Sequence, residues 1–289
     1  MHPMRGFDGR RAGWGLFTLF FLAACTKELP PAVYLQLNRP SFDLRYAEGD
    51  SDQAITEYHV FTDQSFLGAF NIPAIVPWIT TEGGRELTII PGVRENGIQL
   101  SPAFYPLLEP FRVNLSVNSA DTLTFQPSFS YKDRTKYRWI ELCNGPLSLD
   151  LDLDLDTVTR LHTVPAIGIS ESGAATATLT LSHPVLEVTT STSLTQLPKD
   201  GTPIWMEMHY RGDLLLQIGL RGKSPGIAPV INYKLALYPK VNWNKIYINF
   251  TPDVQLSDLA EYQVVFRAEL PDTLSEGAIY LDNIKLLHL

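Results

Sequence analysis

The sequence predicts an all-β chain of two β-sandwich domains, and three observations carry that prediction. Short alternating or β-branched runs recur from Val33 to the C-terminus, turn residues (Pro, Gly, Asn, Asp) separate them, and no stretch keeps a helical period. With 19 Gly, 21 Pro, 45% hydrophobic and 19% charged residues among 289, the composition is that of a globular chain. A formal charge of -8, from 23 Lys plus Arg against 31 Asp plus Glu, excludes a protein built to coat nucleic-acid phosphates. Two cysteines exclude a disulfide scaffold.

Residues 1–24 read as an export signal. Arg5, Arg10 and Arg11 precede the apolar run from Trp14 to Ala24. That run falls short of the ~20 apolar residues of a spanning helix and suits a secretory leader of ~7–15. It ends in Leu22-Ala23-Ala24-Cys25, which resembles the lipobox of bacterial lipoproteins. The resemblance implies a thioether-linked diacylglycerol on Cys25, removal of residues 1–24 and acylation of the new N-terminus. An ordinary secretory leader with an incidental cysteine is the alternative. Acyl chains at ~0.8 kcal/mol per buried methylene would hold the protein on a membrane with no spanning helix. Lys27-Glu28 after the cysteine is similar to the surface-export signals of Bacteroidetes lipoproteins, which implies the outer membrane and its outer face, the periplasmic face being the alternative. Residues 25–32 then form a lipidated tether, stiffened by Pro30 and Pro31.

Residues 33–125 read as a small β-sandwich, with strands over Ala32–Leu37, Ile55–Thr62, Glu86–Ile90, Phe111–Val117 and Thr122–Phe125. Tyr58–Asn71 reads as a hairpin turning at Asp63-Gln64, and Gly83-Gly84 leads into the apolar run Arg85–Pro91. This arrangement resembles the PEGA-type β modules, a resemblance that implies a spacer or interaction platform without chemistry of its own. Pro91-Gly92 and Asn96-Gly97 are turn signals, and both glycines are expected at positive φ. The strand, glycine turn and helix of a phosphate cradle do not follow one another here. The aromatic loop Ser101–Phe111, with Phe104 and Tyr105, either packs on the sandwich or offers a docking surface. Residues 126–136, polar and Pro-containing, read as a linker.

Residues 137–289 hold the remaining runs: Tyr137–Leu142, Ala174–Leu181, Val185–Thr190, Ile204–Tyr210, Leu214–Leu220, Ile231–Leu237, Lys245–Phe250, Tyr262–Glu269 and Ala278–Leu287. The last of these, around Ile279-Tyr280-Leu281-Asp282-Asn283-Ile284, and the first, Tyr137-Arg138-Trp139-Ile140-Glu141, resemble the last and first strands of jelly-roll carbohydrate-binding modules. That resemblance implies a jelly roll over 137–289. It also implies a structural Ca²⁺ joining the two strands, with Glu141 and Asp282 at the matching positions, since a hard cation takes six to eight oxygens at ~2.3–2.6 Å. No other cofactor is expected. The chain departs from those modules in showing no strongly recognisable sugar-binding face.

Two local patterns stand out. Between Leu147 and Asp156, four leucines (149, 151, 153, 155) alternate with four aspartates (150, 152, 154, 156), so period two predicts a strand with an apolar and an acidic face. The acidic face serves as a solvated edge that discourages sheet pairing, or as a weak divalent-ion strip, or as a contact for a basic partner. In Ile204–Tyr210 the apolar Ile204, Met206, Met208 and Tyr210 form the expected core side, which leaves Trp205, Glu207, His209 and then Arg211 as the expected ligand face, a stacking ring beside hydrogen-bonding groups. Catalytic signatures are missing: there is no HExxH, no close Cys/His spacing for zinc and no G-x-S-x-G elbow, and Cys143 reads as a buried small residue. The expectation is a non-catalytic envelope lipoprotein that binds glycan or another surface ligand through its C-terminal jelly roll. The alternative is a structural accessory lipoprotein of an outer-membrane transport, secretion or gliding complex. Its partners would be the membrane, through the lipid, and a glycan or outer-membrane protein, with no nucleic acid.

Overall fold

The computed structural model describes residues 32–43, 52–118, 120–169 and 172–289. The export signal, Cys25 and all of the tether but its last residue, Ala32, lie outside the described residues.

The first module contains β1 (Val33–Leu37), β2 (Ser41–Phe42), β3 (Glu57–Thr62), β4 (Ser65–Asn71), β5 (Ala74–Trp78) and β6 (Gly83–Arg94). It continues with β7 (Pro102–Phe104), β8 (Phe111–Val117), β9 (Thr122–Phe125) and β10 (Ser128–Phe129). One sheet runs β5-β1-β9, another β4-β3-β6-β7 with β8 also on β6, and β10 pairs β2. Strict alternation in β1 buries Val33, Leu35 and Leu37 and exposes Tyr34 and Gln36. These side chains join Val76 and Trp78 of the same sheet and Tyr58, Val60, Leu87 and Ile89 of the other in one core. Each such full burial is worth ~1.5–3 kcal/mol. The hairpin turns where the sequence places it: Asp63 and Gln64 both have positive φ, 47° and 65°, the backbone of a two-residue turn whose twist matches its strands. Gly97 has the expected positive φ of 71°, but Gly92 does not. Gly92 lies within β6, where a Cβ would come 2.6 Å from Glu57 and 2.7 Å from His59, so close side-chain approach and not turn geometry requires it.

Residues 126–136 are not a free linker. Phe129 and Tyr131 are buried in the first core, because β10 pairs β2 and the aromatic residues in this polar stretch point inward.

The second module holds β11 (Lys136–Glu141), β12 (Leu151–Asp152), β13 (His162–Val164), β14 (Ala174–Thr180), β15 (Val185–Thr189) and β16 (Leu194–Thr195). Then come β17 (Ile204–Gly212), β18 (Leu216–Ser224), β19 (Ile227–Leu237), β20 (Lys240–Asn249), a short helix α1 (Thr251–Gln255), β21 (Glu261–Glu269) and β22 (Glu276–His288). Sheet one is β13-β14-β22-β17-β20 with β11 on β22; sheet two is β12-β15-β21-β18-β19 with β16 on β21. The steps β14 to β15, β17 to β18, β19 to β20 and β21 to β22 each cross from one sheet to the other, which makes this a jelly-roll β-sandwich. The expected apolar side of β17 is indeed core: Ile204, Met206 and Met208 are fully buried, facing Val188, Ile218, Val264 and Phe266 of sheet two within one cluster.

The Leu/Asp run does not form the predicted strand. Only Leu151 and Asp152 pair, with β15; Leu149 is buried while Leu155 is 87% exposed, so the leucines share no face. Asp152, Asp154 and Asp156 instead accept backbone N–H groups one turn onward, from Leu155, Asp156 and Val158. Short carboxylates compete with the sheet ladder in this way, and the local bonds win over weak β propensity.

The two modules are stitched together. Asn96 donates its backbone N–H to the Tyr247 carbonyl at 2.8 Å, and the Asn249 N–H returns to the Asn96 side chain at 3.0 Å. Trp205, Tyr247 and Leu287 of sheet one belong to the core of the first module, so part of that sheet's outer face is covered.

Candidate functional site

The structure places Trp205, Glu207 and His209 together on one side of β17, under the first module: they are 4%, 0% and 1% exposed. The Trp205 ring meets Tyr105 edge-on at 5.4 Å, and Tyr105 meets Tyr247 at 4.8 Å. Glu207 accepts the hydroxyls of Tyr105 and, at 2.7 Å, Tyr131, and its other oxygen lies 2.9 Å from Lys245 Nζ. Lys285, fully buried, sits 5.4 Å from the Tyr131 ring. Burial works to raise the Glu207 carboxyl, but the charges of Lys245 and Lys285 and the Tyr105 hydrogen bond outweigh it and hold it at about 2. Burial, then the Glu207 charge, pushes the Tyr105 and Tyr131 hydroxyls well above the ordinary phenol range. His209 Nε2 lies 3.0 Å from Asp52 of the first module. These three residues are therefore an inter-module joint, and only Arg211, further along β17, stands away from it.

Glu141 and Asp282 lie on the paired strands β11 and β22. Their oxygens are occupied by protein donors: Glu141 accepts Cys143 N–H at 3.0 Å and Ser148 N–H and O–H at 2.7 Å, and Asp282 accepts Ile169 N–H at 2.8 Å and Ser172 O–H at 3.0 Å. Among the described residues no group of three or more His, Cys, Asp or Glu could hold a metal. Cys143 is fully buried between these groups, and burial followed by the Glu141 charge pushes its thiol far up, away from nucleophilic character.

The face left open is the outer side of sheet two. Inward alternation of Leu216, Ile218 and Leu220 on β18, and of Val264, Phe266 and Ala268 on β21, turns Gln217, Arg221, Arg267 and Glu269 outward, while Gln263 on the same side is buried, its amide on the Thr190 carbonyl. The register aligns Glu187, Arg267 and Gln217 in one row across β15, β21 and β18. Arg267 donates to Gln217 at 3.0 Å and to Glu269 at 2.7 Å, and Arg221 donates to Gln263. The Tyr233 hydroxyl donates to Glu187, a bond that bridges β18 and β21. Tyr233 pairs with Gly219, at a bulge where a Cβ would come 2.1 Å from the Asn232 carbonyl; only glycine lets β19 approach so closely. Burial, then the bond to Glu187, raises the Tyr233 hydroxyl, which stays a neutral donor. At one end of this face Leu215, Gln217, Arg267, Glu269, Leu270 and Pro271 line a groove of about 540 Å³, within the ~300–1,000 Å³ of small-ligand sites. The polar half of the alternation was visible in each strand, but nothing in the sequence showed that β15, β18, β19 and β21 lie side by side.

No protein-family model and no curated protein matches the chain. Among solved structures, the chain is similar to the CBM22-2 xylan-binding domain of Paenibacillus barcinonensis Xyn10C, at 12% identity and a TM-score of 0.39 over 53% of this chain and 99% of that one. It is similar to carbohydrate-binding modules of the β-sandwich superfamily, at 12% identity and 0.39 over 90% and 98%. It is also similar to the enzymatically active domain of tailspike protein 4 of bacteriophage CBA120, at 9% and 0.36 over 45% of this chain, spanning 18% of that chain. What those proteins bind or cleave is a property of those proteins.

Proposed function

We propose that this protein binds a glycan without catalysis, on the outer face of sheet two, and that Cys25 anchors it by lipid to the outer membrane of a Bacteroidetes-type cell. The observation that carries the reading is the row Glu187, Arg267 and Gln217 beside Tyr233 and the adjoining groove. A sugar presents hydroxyls that both donate and accept. Arginine supplies donors only, glutamate acceptors only and glutamine both, so the row can satisfy each hydroxyl in turn. Mutual hydrogen bonds already fix these side chains, which lowers the ordering cost of binding. Tyr233 adds an aromatic surface for the apolar side of a pyranose ring.

A glycan array probed with the leaderless chain tests this, followed by titration of the best ligand into Arg267→Ala and Tyr233→Ala. We expect at least tenfold weaker binding in both variants. An array without hits, or variants that bind as the parent does, overturns the reading. For the anchor, Cys25→Ser should move the protein from the membrane to the soluble fraction; retention on the membrane overturns lipidation.

A second reading, as a protein-contact component of an outer-membrane complex, is favoured by Ile227, Val230 and Val241 on the edge strands β19 and β20, which are 58%, 44% and 90% exposed. Co-purification of a membrane complex that is lost in Val241→Lys would support it over glycan binding.

A further inference from the structure

Sheet one carries a second feature, on the half of its outer face that the first module leaves open. Arg211 pairs across the sheet with Tyr280 of β22, and Tyr280 with Thr176 of β14, which in turn pairs with His162 of β13. Directly opposed residues share a face, so these four side chains form one row across four strands. At the other side of Arg211 the irregular register of β17 against β20 brings in Trp243. The guanidinium carbon lies 4.4 Å from the centre of the Tyr280 ring and 5.1 Å from that of Trp243.

Stacking uses the face of a guanidinium and leaves its N–H groups free in the plane. Among the described residues no carboxylate pairs with Arg211, and its buried Nε has no hydrogen-bond partner. In a chain of net charge -8 an arginine with no counter-ion among the described residues, held by two rings, is a selective recognition group for an anion and not part of a general basic surface. Its neighbours narrow the class. Trp243 and Tyr280 are half-buried, offering apolar faces, and the row continues past Thr176, buried with its hydroxyl on the Ile279 carbonyl, to the exposed His162. Strand spacing of ~4.8 Å makes the run from Arg211 to His162 ~14 Å long, the dimension of a short chain of rings and not of a single ion.

We propose that Arg211, Trp243 and Tyr280 form a second binding site, for an acidic sugar within an oligosaccharide: a carboxylate or sulfate meets the edge of the guanidinium, and the adjoining rings stack on the aromatic side chains. This site is separate from the sheet-two face, and neither proposal requires the other.

The test is isothermal titration of the leaderless chain with three oligosaccharides of matched length: a hexuronate, a sulfated one and a neutral one. Either anionic ligand should bind at least tenfold tighter than the neutral one and lose that margin in Arg211→Gln. Which of the two binds distinguishes carboxylate from sulfate recognition. Arg85→Gln, which removes a cation of the first module outside both sites, should leave anion binding unchanged. Should Arg211→Gln fail to fold, the side-chain ¹⁵Nε resonance of Arg211 in the unmodified protein reports instead, and it should shift on titration. Equal binding of charged and neutral ligands, an unmoved Arg211 resonance, or loss of anion binding in Arg85→Gln would each overturn the proposal.

Discussion

The two outer faces of the second module are built from the same kinds of side chain and end in opposite states. On sheet one, Glu207 pairs directly with Lys285 of β22, while Lys245 reaches it diagonally from β20, where it pairs with His209, and all three side chains are sealed under the first module. On sheet two, Glu187, Arg267 and Gln217 occupy the equivalent transverse row and stay at the surface. Burying ions costs several kcal/mol each, which their mutual attraction only repays when geometry and hydrogen bonding are complete. The joint approaches that condition by directing Tyr105 and Tyr131 as donors to one Glu207 oxygen and the Lys245 ammonium to the other at 2.9 Å, and it thereby ties one register of the two modules to one set of partners. The open face meets no such cost: a pair such as Arg267 and Glu269 is worth ~0–1 kcal/mol in folding and remains free to exchange its bonds for those of a ligand.

That contrast can be broken most forcefully at Glu207. Glu207→Ala leaves two buried lysines without their carboxylate and should cost ~3–5 kcal/mol in chemical denaturation; a loss below ~1 kcal/mol would show that the joint is hydrated. The same group sets an acid limit. Its carboxyl is held at about 2 in the folded protein against 4.5 ordinarily, so its contribution is complete above pH 4.5 and is lost as pH falls from there toward 2. The midpoint of thermal unfolding followed over that window should fall more steeply in the parent than in Glu207→Ala, where Asp52, lowered by its bond to His209, still titrates. Tyr131→Phe removes one donor to a charged acceptor and should cost ~1.5–3 kcal/mol, with the ring packing retained. Arg267→Ala, the counterpart on the open face, should change stability by less than ~0.5 kcal/mol while weakening glycan binding. The smallest effect belongs to the Leu/Asp loop. Leu155 has φ 65° and is exposed, so Leu155→Asn should raise stability by ~0.5 kcal/mol, whereas a strand leucine would lose stability on that change.

How far the sequence reading reaches depends on the length scale of the force involved. The strands Phe111–Val117 and Thr122–Phe125 lie where their alternation places them, and the Asp63-Gln64 turn and the Met206/Met208 core side follow from local pattern. The Leu/Asp run fails for a local reason as well: period two is necessary for a strand, yet Asx-type bonds to the backbone compete with it and here prevail. Trp205, Glu207 and His209 do share a face, as alternation requires, but a ligand face and a face that docks another module look alike in one strand. Tyr233 and Glu187, 46 residues apart, could not be joined by any sequence pattern.

The amino-acid sequence alone thus determined the all-β character and the inward and outward sides of the principal strands, because side-chain periodicity and turn chemistry act over a few residues. The tertiary structure decided which outward side became a sealed joint and which stayed open, since burial is set by what packs on a surface. It also decided which residues form the rows of sheet two and of Arg211, because cross-strand neighbours are chosen by sheet order and register, which join residues far apart in the sequence.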